Sequence, residues 1–189
     1  MILSQDNEYA ALLDACVLVP MCLCDTLLRL AENPSMYRPL WSSEILQEVG
    51  DALESKVKVS PQQRQRRIAQ MDAAFPEASV QPAPCLASSL TGIPDEKDRH
   101  VLASAIAGHA HVIVTNNIKD FPQAYLIQFD ILCQSADDFL IHQFHLNRSL
   151  VLDKLDGQAV KIHRQRPDIL STLKIVAPKF VGLVETFLG

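Results

Sequence analysis

Asp95 and Asp98 stand three residues apart in the run P-D-E-K-D-R-H-V-L-A-S-A-I-A that begins at Pro94. Residues at i and i+3 share one face of a helix, so this spacing directs both carboxylates the same way from a first turn. The helix they open carries the apolar stripe Val101, Leu102, Ala105 and Ile106. A β-branched run, Val112-Ile113-Val114, follows and stops in Thr115, Asn116, Asn117 and Asp120. Such a run reads as a buried parallel strand with polar groups at its C-terminal end, where open α/β sheets place their ligands. Two more acids fall in comparable places. Asp14 ends an apolar run that starts at Ala10, and Glu48 rides a flank of the helical face Ile45, Leu46, Val49 and Leu53. Carboxylates gathered at one sheet edge repel one another, and a neutralising cation is the chief reason for such a cluster to persist. Oxygen donors without a His/Cys set select a hard ion, Mg²⁺ or Mn²⁺, over zinc. An ion of that kind generates a hydroxide from water and stabilises in-line displacement at phosphorus.

Each acid alone also has a plainer reading. Asp14 is a common turn cap, and Asp95 is placed to N-cap the helix that holds Asp98. Glu44 suits a helix dipole in a first turn, and Glu48 one turn later is as well explained by solvation. It is the assembly that carries the chemistry, and the assembly needs a fold.

The elements that must position these residues are βα units. The first apolar run leads to Pro20, whose fixed φ suits a first helical turn, and then to the stripe Leu23, Leu27, Leu28, Leu30 and Ala31. Leu40-Trp41 reads as a second strand, with Ser42 or Ser43 as N-cap of the helix carrying Glu48. Residues 54–76 read as one or two polar helices around Gln62-Gln-Arg-Gln-Arg-Arg67, in which Arg64, Arg66 and Arg67 are either phosphate contacts or a solvated face. Residues 78–90, with Pro82 and Pro84, read as an extended segment and loop. Ile131-Leu132-Cys133 reads as a last strand, and Ser135-Ala-Asp-Asp138 as a capping-box variant opening a helix. Beyond His145 the chain changes character: residues 150–160 and 167–188 read as two amphipathic helices joined by the basic connector Lys161-Ile-His-Arg-Gln-Arg166. The expected division is a main domain over residues 5–142 and a helical extension over 143–189.

Composition narrows the class. A chain of 189 residues with 48% hydrophobic and 21% charged residues is globular and of single-domain size, with room for a small appendage. No apolar run approaches the ~20 residues that span a bilayer. The N-terminus M-I-L-S-Q-D-N-E has acids where a signal peptide places lysine or arginine, so a cytoplasmic, non-membrane protein is expected. Five scattered cysteines argue against a disulfide framework, and Cys22-x-Cys24 reads as core packing. The net charge of −5 neither announces a nucleic-acid binder nor excludes local basic patches.

These stretches resemble the PIN-domain nucleases, and among them the VapC-type toxins of toxin–antitoxin pairs. D-A-C-V-L at 14–18, with D-T-L-L-R-L-A at 25–31, is similar to the family's first strand and helix. S-S-E-I-L-Q-E-V at 42–49 resembles its second acidic motif. D-E-K-D-R-H-V-L-A-S-A-I and V-T-N-N-I-K-D-F-P resemble the third and fourth. The resemblance covers about residues 10–142, and a weaker likeness extends to the helical tail. It implies a three-layer α/β/α fold on a central parallel sheet with a C-terminal helical appendage. It also implies an Mg²⁺- or Mn²⁺-dependent endoribonuclease acting on RNA, a cognate antitoxin that neutralises it, and a homodimer. By the same resemblance Asp14, Glu48 and Asp98 are the core acids and metal ligands, Asp95 is an additional acid, and Thr115 is a supporting hydroxyl. The family's fourth acidic position falls on Asn117, a departure: asparagine ligates through its carbonyl but adds no charge. Asp120, three residues on, stands ready to compensate. Arg99, Lys119, Arg64 and Arg67 are candidate RNA contacts. The alternative is a catalytically silent PIN-fold binding or scaffold module. A haloacid-dehalogenase-like phosphatase is set aside because Asp14-Ala15-Cys16 lacks its D-x-D.

Overall fold

A computed structural model describes residues 8–189. Asp6 of the N-terminal run and the start of the main domain at residue 5 lie outside the described residues. In chain order the elements are β1 (Ala10–Leu13), α1 (Ala15–Leu18), α2 (Met21–Ala31), β2 (Arg38–Ser42), α3 (Ser43–Ala52), α4 (Pro61–Ala74) and β3 (Ser79–Val80). They continue with α5 (Pro84–Ser89), α6 (Arg99–Ala107), β4 (Val112–Val114), α7 (Gln123–Leu126), β5 (Leu132–Gln134) and α8 (Ala136–Leu146). The tail holds α9 (Arg148–Lys161), α10 (Arg166–Leu173) and α11 (Pro178–Leu188).

The five strands form one parallel sheet in the order β3-β2-β1-β4-β5. Every residue of β1 and β4 is fully buried, so the sheet is covered by helices on both faces, as an all-parallel sheet must be. This is the expected α/β/α architecture. Pro39 is tolerated within β2 because β3 pairs only with Trp41 and Ser42, leaving the start of β2 with a single neighbour. From β1 the chain proceeds outward to β2 and β3, then returns past β1 to β4 and β5. The order therefore reverses between β1 and β4, and right-handed crossovers put the two sets of connecting helices on opposite faces. The crevice beyond the carboxyl ends of these two strands is the switch point at which open sheets bind ligands.

Local signals set the helix starts. The Ser42 hydroxyl accepts from Ile45 N–H at 3.2 Å and caps α3, and Ser135 accepts from Asp138 N–H at 3.0 Å and caps α8. Gly108 ends α6 at a close approach, where a Cβ would lie 2.7 Å from the Leu40 side chain and 2.9 Å from that of Val80 and force them to shift. Two expectations are corrected. Residues 78–90 are not simply extended, because Pro84 is the first residue of α5, a position where its missing N–H costs nothing. Residues 167–188 are not one helix but α10 and α11, broken before Pro178, which cannot continue a helix yet starts one readily.

The tail packs on the main domain. Gln158 in α9 accepts from Thr26 Oγ1 at 2.8 Å and donates to the Cys22 carbonyl at 3.0 Å, tying α9 to α2 through a buried polar pair. Asp137 in α8 is buried and accepts from Lys179 N–H at 3.0 Å and Phe180 N–H at 2.7 Å, satisfying orphan donors in the first turn of α11. Asp137→Ala strands both donors and is expected to cost about 2–4 kcal/mol in urea denaturation, with Asp137→Asn costing less because it keeps an acceptor. An unchanged midpoint for Asp137→Ala would mean that α11 is not held this way.

Candidate active site at the β1–β4 switch point

Asp14 is the first residue after β1 and Thr115 the first after β4, so the sheet register alone sets them side by side. The Asp14 N–H donates to the Val114 carbonyl at 3.1 Å and joins the two strand ends. Thr115 Oγ1 donates to Asp14 Oδ2 at 2.5 Å and accepts from Asn117 N–H at 3.0 Å. Cys16 Sγ donates to the same Oδ2 at 3.1 Å and accepts from Asn116 N–H at 3.2 Å. Both hydrogen bonds to the Asp14 carboxylate thus fall on one oxygen, and Oδ1 is left for a ligand. Burial first, and then the Asp14 charge, push the Cys16 thiol up to about 12, so it stays protonated and remains a donor. Cys16 is a site residue that the sequence reading passed over, because a cysteine in an apolar run reads as packing.

Asp95 and Asp98 do not share a regular α-helical turn. Asp95 caps a 3₁₀ turn over Glu96–Asp98, accepting from Lys97 N–H at 3.0 Å, and Asp98 is the N-cap of α6. The plainer capping role is thus present, and the charge of Asp95 still acts on Asp98. The Asp98 carboxyl is pushed from 3.8 up to about 6 by partial burial and then by the charges of Asp120, Asp14, Asp95 and Glu48. Asp14, Glu48, Asp95 and Asp120 thus all act on Asp98, Asp120 the most strongly of them, whereas Glu44 faces His100. Asn117 is half-buried and anchored by its backbone, and its side-chain amide makes no hydrogen bond among the described residues.

Glu48 reaches the site from the half-exposed flank of α3, and its position is held by a residue not anticipated from sequence. His100 Nε2 lies 3.1 Å from Glu48 Oε1, and the ring is only 6% exposed. Its Nδ1 is buried without a hydrogen-bond partner, 3.7 Å from Glu44 Oε2, too long for a hydrogen bond. Burial works to lower the His100 pKa, but the Glu48 hydrogen bond and the charges of Glu48, Glu44 and Asp14 outweigh it, and the net shift is upward. The available signal was a histidine two residues after Asp98, masked by its place within an apolar helix.

The four candidate cations divide. Arg99 pairs with Glu96 at 3.2 Å, and Lys119 is exposed one residue before Asp120. Arg64 pairs with Glu54 at 3.0 Å and Asp51 at 3.6 Å, bracing α4 against the end of α3. Arg67 donates to the Val19 carbonyl at 3.1 Å and to the Leu18 carbonyl, closing the C-terminal end of α1. The last two guanidiniums are already engaged within the chain.

The residues present fit a hard divalent cation. Their donors are carboxylate and amide oxygens, Asp14 keeps a free oxygen, and Asp98 is destabilised as an anion by its neighbours. Among the described residues, no three His, Cys, Asp or Glu side chains stand in a ready-made ion cage. The crowding has a measurable consequence without metal. A carboxyl whose pKa is higher folded than unfolded stabilises the fold below the unfolded value, and that contribution is lost as pH rises through about 6. In EDTA, Asp98→Asn should therefore raise the melting temperature above pH 6 relative to wild type and not near pH 4; equal melting curves at both pH values would refute the crowding.

Comparison with known proteins agrees with this geometry. Residues 10–119 match the family model described as PIN domain, more than half of the chain. The chain is also 42% identical over 65 residues to a Mycobacterium tuberculosis protein named "Putative ribonuclease VapC50". That stretch covers 32% of this chain and 38% of the relative, so the chain spans well under half of that protein's length. With β1, α3, α6 and β4 all inside the matched region and their acids at one crevice, the chain belongs to the PIN-domain family.

Proposed function

We propose that this chain is an Mg²⁺- or Mn²⁺-dependent endoribonuclease that hydrolyses RNA phosphodiester bonds, a VapC-type toxin neutralised by a cognate antitoxin. The observation that carries the reading is the set of carboxylates acting on Asp98, with Asp14 fixed at the switch point. Support for RNA as substrate comes from family membership and from the similarity to a protein named as a putative ribonuclease.

Asp14, Asp98 and Glu48 would hold the ion, with Asp95 and Asn117 as further oxygen donors. Such an ion neutralises the cluster and polarises a phosphate oxygen when bound. The chain's own contribution is placement. Thr115 and Cys16 fix the orientation of Asp14, and His100 holds Glu48 toward the cluster. Asp120, the strongest neighbouring charge on Asp98, compensates for the missing acid at Asn117. Arg99 and Lys119 flank the acids and are the cations proposed to meet RNA phosphates, with Arg64 and Arg67 bracing the frame. The catalytic unit is taken as residues 5–142 and the helical extension as 143–189, with α8 running through the junction. No helix among the described residues is long and apolar enough to cross a membrane. A cytoplasmic homodimer completes the proposal.

The test is cleavage of total RNA by the purified protein with Mg²⁺ or Mn²⁺. Discrete products should disappear in EDTA, and Asp14→Asn or Asp98→Asn should slow cleavage by roughly 100-fold or more, several kcal/mol of lost charge stabilisation. Absence of cleavage with either ion, and of any metal-dependent melting shift, would instead support the silent scaffold, whose sequence signal is Asn117. Asp120→Asn is expected to slow cleavage about tenfold and Asn117→Ala less, since only the former removes a charge from the cluster. The opposite order would give the fourth position to Asn117.

A further inference from the structure

A groove of about 990 Å³ lies on the surface where α2, α9, α10 and the connector between the last two meet. Three aliphatic side chains that line it are unusually open to solvent: Met21 is 64%, Ile162 54% and Ile175 82% exposed. Together they line one concave surface, the arrangement in which an amphipathic segment seats its apolar face. The charges on the walls are unequal in what remains unpaired. Asp25 is held by Arg29 at 2.9 Å, and Asp168 accepts from Gln165 N–H at 3.0 Å. Arg166, at the end of the basic connector, is bound by Asp156 and does not line the groove. Lys161 and Arg164 do line it, and among the described residues their side chains have no ionic or hydrogen-bond partner. The Gln165 N–H is neutral and leaves the Asp168 charge in place, so Lys161 and Arg164 outnumber one unpaired wall acid and give the groove a small positive excess on a chain of net charge −5. No aromatic residue lines it, so it offers no stacking platform for bases. A second groove, of about 270 Å³, shares Met21, Asp25 and Lys161 and continues the surface toward α4.

We propose that this groove docks an acidic, amphipathic segment of a partner protein. The apolar face of the segment seats on Met21, Ile162 and Ile175, and flanking carboxylates meet Lys161 and Arg164. None of the groove's lining residues belongs to the acid cluster, so the site stands whether or not the chain is a nuclease.

The probe is a fluorescein-labelled helical peptide with leucines at i, i+3 and i+7 and glutamates between them, compared with its lysine counterpart and a short single-stranded RNA. Anisotropy with the full chain should show saturable binding of the glutamate peptide, and binding of the lysine peptide at least about tenfold weaker. Ile175→Ser and the double substitution Lys161→Glu/Arg164→Glu should each weaken the glutamate peptide by about tenfold or more. Ile175 is so exposed that its substitution leaves the fold intact. Failure to bind, equal affinity for both peptides, or indifference to the substitutions would overturn the proposal. Displacement by RNA would reassign the groove to nucleic acid. A concentration-dependent dimer abolished by Ile175→Ser would give it to a second copy of the chain.

Discussion

Like charges crowded at one edge of a sheet are the constraint on which the rest of this structure depends. Burial, and then the charges of Asp120, Asp14, Asp95 and Glu48, make ionisation of Asp98 unfavourable, yet the fold keeps all five within electrostatic reach of one another. Their repulsion is offset by a rigid frame. Fully buried strands leave Asp14 no freedom of register, and two hydrogen-bond donors, Thr115 and Cys16, share one of its oxygens. A cation would relieve the repulsion without altering the frame, which explains why strain of this kind is tolerated at a functional crevice.

The frame extends beyond the acids. Arg67 closes α1, the short helix that leaves Asp14, while Arg64 braces α4 against α3, the helix that carries Glu48. Basic residues read as a surface stripe thus serve the geometry of the acids from a distance. The tail is bound into the same body through Gln158 and Asp137, each a buried polar group fully used by backbone or hydroxyl partners. Docking α9 and α10 beside α2 also creates the groove, a surface that the PIN-domain core alone would not possess.

Family membership and the chemistry of the site point the same way by separate routes. The family match covers residues 10–119 and stops short of the last strand and the tail. The electrostatic convergence on Asp98 is a property of these side chains in this fold and owes nothing to the match. Asn117 illustrates the value of the second route. Its departure from the family's acidic position looks like a loss in the sequence, but Asp120, one short turn later, supplies the charge that acts most strongly on Asp98.

The sequence by itself determined four of the five strands, the starts of α3 and α8, and which acids stand just past apolar segments. Those are local signals: β-branched runs that end in polar residues, caps such as Ser42 and Ser135, and carboxylates placed just past apolar segments. Only the tertiary structure decided which groups meet. His100 against Glu48, Thr115 against Asp14 and Arg67 against the α1 carbonyls join residues 52, 101 and 48 positions apart. No window of sequence contains such pairs, because parallel pairing across βα crossovers brings them together only after the whole sheet has formed. The break before Pro178 and the helix begun by Pro84 were misread for a related reason. Proline ends one helix and starts another with equal ease, and the packing around it decides which.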